Sequence, residues 1–325
     1  MKVYRDNETN PSLLKDKSIA VVGFGNQGSA FAFNLRDSGL DVSVALNKES
    51  KTIQAVAEHD FPIIENTCVA NCEIILLLIP DHLQSEYYGL HLDRRLRKGQ
   101  TIVFAHGLSV AFKQIVPPAG VFCSLVAPHG PGTDLRSRYL DGTGLSCFVA
   151  SHPVGSRKGL AIAVAIAGAC GCTKAGAFKT TFRDEAIGDL FGEQSLLCGG
   201  LIYLTSVAFN TLIENGLPPE NAYLETVHQI DLLANLLKRY GAAGMLERIS
   251  KTAAIGTLKM QELLSDQTVK TAFDKALRDI ESGEFTGDWT QNDDALQQLN
   301  SFIEVMRKSD LDKTGKKLRR IIGDD

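Results

Sequence analysis

From Lys17 to Phe182, short continuous apolar runs alternate with amphipathic stretches; the runs are SIAVVG, VSVAL, EIILLLI, TIVFA, SLVAP and LSCFVA. Strands that are apolar throughout are covered on both faces, as parallel strands of an α/β sheet are. The stretches between them read as helices. NQGSAFAFNLRDSG, for example, closes at Gly39, where a helix C′ glycine is expected. This pattern predicts an N-terminal, doubly wound, parallel Rossmann sheet.

Beyond Phe182 the strand signal stops and helical periodicity takes over. It covers 187–214, closed by Asn215-Gly216, then 219–239, opened by Pro218-Pro219, then 242–264, 268–281 and 291–308. The chain turns polar at KTTFRDEA, which puts the boundary near 180–185 and predicts an α/β domain over 1–182 and an all-helical domain over 183–325. The closing KSDLDKTGKKLRRIIGDD is polar and is expected to fray.

Composition narrows the partners. The 325 residues are 44% hydrophobic and 22% charged with net charge −4, ordinary for a soluble protein of two domains. RRLRK at 94–98 and KKLRR at 316–320 are too short to make a basic face and read as solvated helix ends, so no nucleic-acid partner is expected. MKVYRDNETN has no apolar core of a secretory signal. The run GLAIAVAIAGACGC at 159–172 is too short for a bilayer and reads as a buried helix, so no membrane partner is expected either. Seven cysteines, an odd number, make no disulfide framework; Cys68/Cys72 and Cys170/Cys172 lack zinc spacing and read as core thiols in a reducing compartment, and the expected location is cytoplasmic.

Two patterns carry chemistry. The first is G-x-G-x-x-G at Gly23, Gly25 and Gly28, with Asn26 and Gln27 inside it, set between a strand and a helix. Glycines there permit a tight turn, close approach of a pyrophosphate, and close helix–strand packing. After the second strand an NAD site carries an acid for the ribose. Here Asn47, Lys48, Ser50, Lys51 and Thr52 offer hydroxyls and cations that suit a 2′-phosphate, which favours NADPH, with Glu49 as the one dissenting residue. His106 and His129 each follow a strand, at the end that faces the ligand crevice of such sheets, and are candidate catalytic residues.

The second pattern is a pair of acidic turns: Asp189 and Glu193 in GDLFGEQ, and Glu225, His228 and Gln229 in ETVHQ. Residues four apart share a helix face. Two such turns facing each other gather oxygen ligands of the kind that suit Mg²⁺. The apolar setting LFGEQSLLCGGL predicts a buried polar pocket for the first pair, and His228 reads as a core histidine.

With these residues in view, the chain resembles the short-form ketol-acid reductoisomerases. The resemblance runs over nearly the whole chain: MKVYRD, GFGNQGSAFAFNLRDSG, FAHG, QIVPPA, VAPHGPG, TTF, DLFGEQSLLCGG and ESGEF. It implies a Rossmann domain joined to a knotted all-helical domain, NADPH, two Mg²⁺ ions and a homodimer or larger homo-oligomer, since the two acidic turns can come from different subunits. It implies alkyl migration in 2-acetolactate followed by reduction of the resulting 2-keto acid. It further implies that Asp189 bridges the metals, Glu193 completes the first and Glu225 binds the second. His106 would lie near the nicotinamide, and Ser250 would meet the substrate carboxylate.

The chain departs from that family at several positions. Gln229 stands where the family has a second glutamate, either as a weak metal ligand or as a hydrogen-bonding remnant. His129 replaces the lysine of APKGPG, Ser250-Lys251-Thr252-Ala253-Ala254-Ile255-Gly256 replaces SNTAEYGD, and Ser29-Ala30-Phe31 replaces His-Ala-His. Losing a carboxylate weakens the second metal, on which migration depends, more than it weakens hydride reduction, which needs one electrophile and a proton donor. The expected function is therefore an NADPH- and Mg²⁺-dependent oxidoreductase of a small 2-keto or 2-hydroxy-keto acid. The alternatives are a true ketol-acid reductoisomerase and a catalytically silent nucleotide-binding homologue.

Overall fold

The structure, a computed structural model, describes residues 1–47, 49–265, 267–290 and 293–323. The chain divides into two compact units, Met1–Gly188 and Asp189–Asp325.

The first unit is built on nine strands: β1 (Val3–Tyr4), β2 (Ile19–Val22), β3 (Val42–Ala45), β4 (Ile63–Ile64), β5 (Ile74–Leu77), β6 (Thr101–Phe104), β7 (Phe122–Pro128), β8 (Cys147–His152) and β9 (Ala177–Lys179). They lie in the order β1-β9-β8-β7-β6-β5-β2-β3-β4. The chain leaves β2 towards β3 and β4, then returns to β5 on the other side of β2. That reversal opens the crevice in which such sheets bind ligands.

From β4 through β2 to β7 every pairing is parallel, as predicted. The LSCFVA strand is a correction: β8 runs antiparallel to β7, and β1 runs antiparallel to β9. A strand buried on both faces looks the same in sequence whichever way its neighbour runs.

Helices α1 (Asn26–Asp37), α2 (Ile53–Glu58), α3 (Asp81–Tyr87), α4 (Leu108–Ala111), α5 (Gly132–Leu140), α6 (Arg157–Ala169) and α7 (Cys172–Ala175) connect the strands. Alternate residues of β2 feed opposite cores, because side chains on a strand alternate faces. Ile19 and Val21 pack with Phe31 and Leu35 of α1 and Ile166 of α6, whereas Ala20 and Val22 pack with Ile75, Leu77 and Phe104. Most of the run 159–172 lies in α6, which buries seven residues, as expected of a buried helix. Cys170 and Cys172 are core thiols, as expected, and so are Cys123 and Cys147; Cys68 is exposed and Cys72 half-buried, against expectation, and Cys198 is exposed. Burial pushes the Cys123 thiol up to about 12, and a hydrogen bond with Cys172 together with burial raises Cys147.

Helix α8 (Phe182–Gly192) runs into a π-helical turn, Glu193–Leu197, and α9 (Gly199–Glu214) follows. Together Phe182–Glu214 is 33 residues, long and apolar enough by length and composition to cross a membrane. It exceeds the 159–172 run singled out from the sequence. The rest is α10 (Pro219–Thr226), α11 (Ile230–Arg248), α12 (Lys251–Leu263), α13 (Gln267–Ser282), α14 (Glu284–Thr290), α15 (Asp293–Lys308) and α16 (Asp310–Ile322).

The predicted 219–239 helix breaks at Val227–Gln229, and the break expected at 240–241 is a kink at Gly241, where φ is +70°. The C-terminal segment, expected to fray, forms α16 instead. Ser309 caps it by accepting from Asp312 N at 3.2 Å, Leu318 joins Phe209, Ala222 and Tyr223 in a small core, and Lys317 pairs with Glu220 at 2.6 Å. Its apolar positions are few, and one of the contacts is made by a glycine: a Cβ on Gly315 would stand 2.6 Å from the Tyr223 ring.

Candidate functional site

The nucleotide turn begins at the carboxyl end of β2. Gly23 has φ +94° and donates to Ala45 O at 3.0 Å, a backbone state only glycine adopts readily. A Cβ on Gly28 would lie 2.3 Å from Gly23 O, so the third glycine is what lets α1 start so close to the turn. A Cβ on Gly25 would meet no protein atom within 4 Å; that side of the turn is open.

Asn26 and Gln27 spend their side chains on the loop after β7. Gln27 Nε2 donates to Gly130 O at 3.0 Å, and Asn26 Oδ1 accepts from Thr133 N at 3.0 Å. Gly132 fits against them because a Cβ there would stand 2.0 Å from Asn26 O.

After β3, Asn47 Oδ1 accepts from Asn66 Nδ2 at 3.1 Å, and Asn66 Oδ1 accepts from the Tyr87 hydroxyl at 3.0 Å. Ser50 and Thr52 are half-buried, with their hydroxyls 2.8 Å apart. Lys48 lies outside the described residues.

His106 and His129 follow β6 and β7, at the same edge of the sheet as Gly23. His106 Nδ1 is 3.2 Å from Asp81 Oδ2, and only 17% of the histidine side chain is exposed. The next residue, Gly107, donates its N–H to Glu185 Oε2 at 2.6 Å, and Glu185 is buried at 4% exposure. A Cβ on Gly107 would lie 2.3 Å from Phe182 O, so the FAHG turn closes on the start of α8 through its glycine.

Sequence reasoning missed both Asp81 and Glu185. The only signal for Glu185 was its place one helical turn before Asp189. His129 is exposed; its Nδ1 lies 3.0 Å from Ser146 Oγ, and its ring meets Phe148 edge-on at 4.4 Å between centroids.

In the helical unit Asp189 ends toward the carboxyl end of α8 and Glu193 opens the π turn, both exposed rather than in the buried pocket expected. Glu225 sits in the last turn of α10, also exposed, and Gln229 Nε2 donates to its Oε2 at 3.0 Å and to Leu224 O at 3.2 Å. His228 is exposed as well, against the core reading, because α10 stops two residues before it. Ser250 caps α12, accepting from Ala253 N at 3.1 Å. Among the described residues no group of three or more His, Cys, Asp or Glu side chains could hold a metal ion. One chain therefore does not bring the two acidic turns into a single ligand set.

Residues 13–176 match the family model for the acetohydroxy acid isomeroreductase NADPH-binding domain, and residues 182–323 match that for the ketol-acid reductoisomerase C-terminal domain. The chain belongs to the ketol-acid reductoisomerase family. It is thus an oxidoreductase of Rossmann-plus-helical build. It is 38% identical to the ketol-acid reductoisomerase (NADP(+)) of Pyrococcus abyssi, covering 99% of this chain and 98% of that protein. The ketol-acid reductoisomerase (NAD(P)(+)) of Metallosphaera sedula is also 38% identical, covering 99% and 96%. A solved NADH-preferring ketol-acid reductoisomerase from an uncultured archaeon superposes with a TM-score of 0.92 at 34% identity, covering 98% of this chain and 99% of that one.

Proposed function

We propose that the protein is an NADPH-dependent reductase of a small 2-keto acid or related carbonyl, assisted by Mg²⁺, with the alkyl-migration step impaired. The open side at Gly25, flanked by the first N–H groups of α1, fits a pyrophosphate: it is a space that a side chain would fill. Ser50 and Thr52 offer hydroxyls to a 2′-phosphate, and relatives named for NADP(+) support that choice.

Asp189, Glu193 and Glu225 are hard oxygen donors suited to Mg²⁺. They do not converge within one chain, so the reading requires a second copy to bring the acidic turns together. The exposed apolar residues Leu196, Leu197, Leu201, Tyr203 and Leu204 along the 182–214 stretch support such pairing, since an uncovered face of this size marks an association surface.

When bound, NADPH supplies the hydride and Mg²⁺ polarises the carbonyl. The chain's own residues orient and protonate. Asp81 fixes the ring of His106 at the nucleotide edge of the sheet, and Glu185 holds the Gly107 backbone beside it. His129, placed after the neighbouring strand, offers an imidazole proton where the family has lysine.

The observation that carries the reading is the Gln229–Glu225 hydrogen bond. In place of a second carboxylate, an amide N–H occupies the Glu225 oxygen that a second metal would need. A second reading, full ketol-acid reductoisomerase activity, is favoured by the 38% identity that extends over 99% of the chain.

NADPH oxidation measured with 2-acetolactate and with the already isomerised keto acid, each with and without Mg²⁺, separates the two. Faster turnover of the isomerised acid is expected. Efficient conversion of 2-acetolactate would establish the second reading instead.

A further inference from the structure

At the amino-terminal edge of the sheet, opposite the nucleotide turn, lies a cavity of about 740 Å³ that the proposed reaction does not use. Its polar wall comes from separate segments: Lys17 before β2, Glu73 before β5, Arg97 and Lys98 before β6, and Lys158 on α6. Its floor is apolar, with Ile74 and Ile162.

The charge is one-sided. Four cations face one carboxylate, in a chain whose net charge is −4. That carboxylate is already engaged: Lys17 Nζ lies 2.5 Å from Glu73 Oε1, and this hydrogen bond holds the Glu73 carboxyl below its ordinary range. The nearby Lys158 ammonium also helps to lower it, so this single carboxylate is set against four cations on the wall.

The exposed cations have local supports. Gly120, at φ +90°, lets the Lys98 stem lie flat; a Cβ there would stand 2.7 Å from Lys98 Cγ. The Lys158 ammonium sits 5.4 Å from the Phe122 ring centroid. Gln100, only 6% exposed, donates to Ala70 O at 2.8 Å and Cys72 O at 2.6 Å and accepts from Arg97 N, which pins the turn carrying Arg97 and Lys98. Prearranged groups lose less entropy when a ligand arrives. The RRLRK run, unremarkable in sequence, thus meets lysines from two distant segments.

We propose that this cavity binds a small organic polyanion, a compound with two or three carboxylate or phosphate groups on a short carbon skeleton. The volume suits a small organic ligand and far exceeds what a bare oxyanion needs. Ser18 and Gly23 flank the two ends of β2, five residues and roughly 16 Å apart, so this ligand and a nucleotide occupy the chain together.

The test is calorimetry on the full chain, with and without NADPH, titrating citrate, 3-phosphoglycerate and inorganic phosphate. Citrate and 3-phosphoglycerate mark carboxylate and phosphate preference respectively, and binding of either that NADPH leaves unchanged is expected. The double variant Lys98→Ala/Lys158→Ala should bind it roughly tenfold more weakly or worse, because charge-assisted contacts are lost. Its melting temperature and NADPH affinity should match those of the unmodified protein, since both side chains are exposed. Three results would overturn the proposal: equal binding by the double variant, competition with NADPH, or phosphate binding as tightly as the organic anions.

Discussion

In the nucleotide unit every residue of β2, β5 and β6 is buried, whereas in the helical unit α11 and α12 bury none of theirs. Helix α9 makes the contrast plain: it has sixteen residues, largely apolar, and buries Phe209 alone. Both units are apolar enough to need covering, but only the first finds its cover within one chain. Periodicity reports that a face must leave water; it does not report which chain supplies the other side. The nucleotide turn is therefore complete in one chain and the acidic turns are not.

Paired truncations test this contrast most directly. Phe31→Ala, at a fully buried position on α1, should cost about 3–5 kcal/mol. Leu204→Ala, at a position 53% exposed in one chain, should cost about 0.5 kcal/mol or less if α9 stays uncovered. If a second copy covers α9, the Leu204 variant should instead lose stability in a concentration-dependent way. Denaturant melts at two protein concentrations read out both, and concentration dependence is the expected result.

Catalysis should divide along the same line. Asp189→Asn should lower Mg²⁺-dependent turnover by about 100-fold or more. NADPH affinity should stay nearly unchanged, because the nucleotide turn is built without Asp189. Steady-state rates beside fluorescence titration of NADPH check this; metal-dependent activity retained in the variant would remove Asp189 from the metal site.

The smallest effect belongs to Gly25→Ala. Its Cβ meets no protein atom within 4 Å, so the fold should be unmoved while NADPH binding weakens severalfold, as a methyl enters the space left for pyrophosphate. Unchanged affinity by titration would place the nucleotide elsewhere.

Much of the nucleotide unit was legible in the sequence because β2, β3, β5, β6, β7 and β8 each carry their own burial, whereas the short edge strands β1 and β4 bury nothing and left no signal. SIAVVG announces β2, and Gly23 announces the turn whose φ of +94° it adopts. Strand direction was not legible: Cys147–His152 is as apolar as its parallel neighbours. In the helical unit Gly241 was readable as a break, yet α16 was not, because its contact with Tyr223 is made by Gly315 and Leu318 within a polar stretch. Asp81 and Glu185 escaped because each acts through a partner distant in sequence, His106 and Gly107. Gln229 was visible as a departure, but its hydrogen bond to Glu225 follows from a helix end that periodicity placed too late.

The cysteines turn the first unit into a clock. Cys68 stands open to thiol reagents, whereas Cys123, Cys147, Cys170 and Cys172 are sealed inside the sheet unit. Reagent uptake then separates into a prompt burst and a slow phase, and the slow phase ticks only when the nucleotide sheet opens. The unmodified chain thus times the breathing of its sheet by chemical labelling, with no dye, tag or substitution.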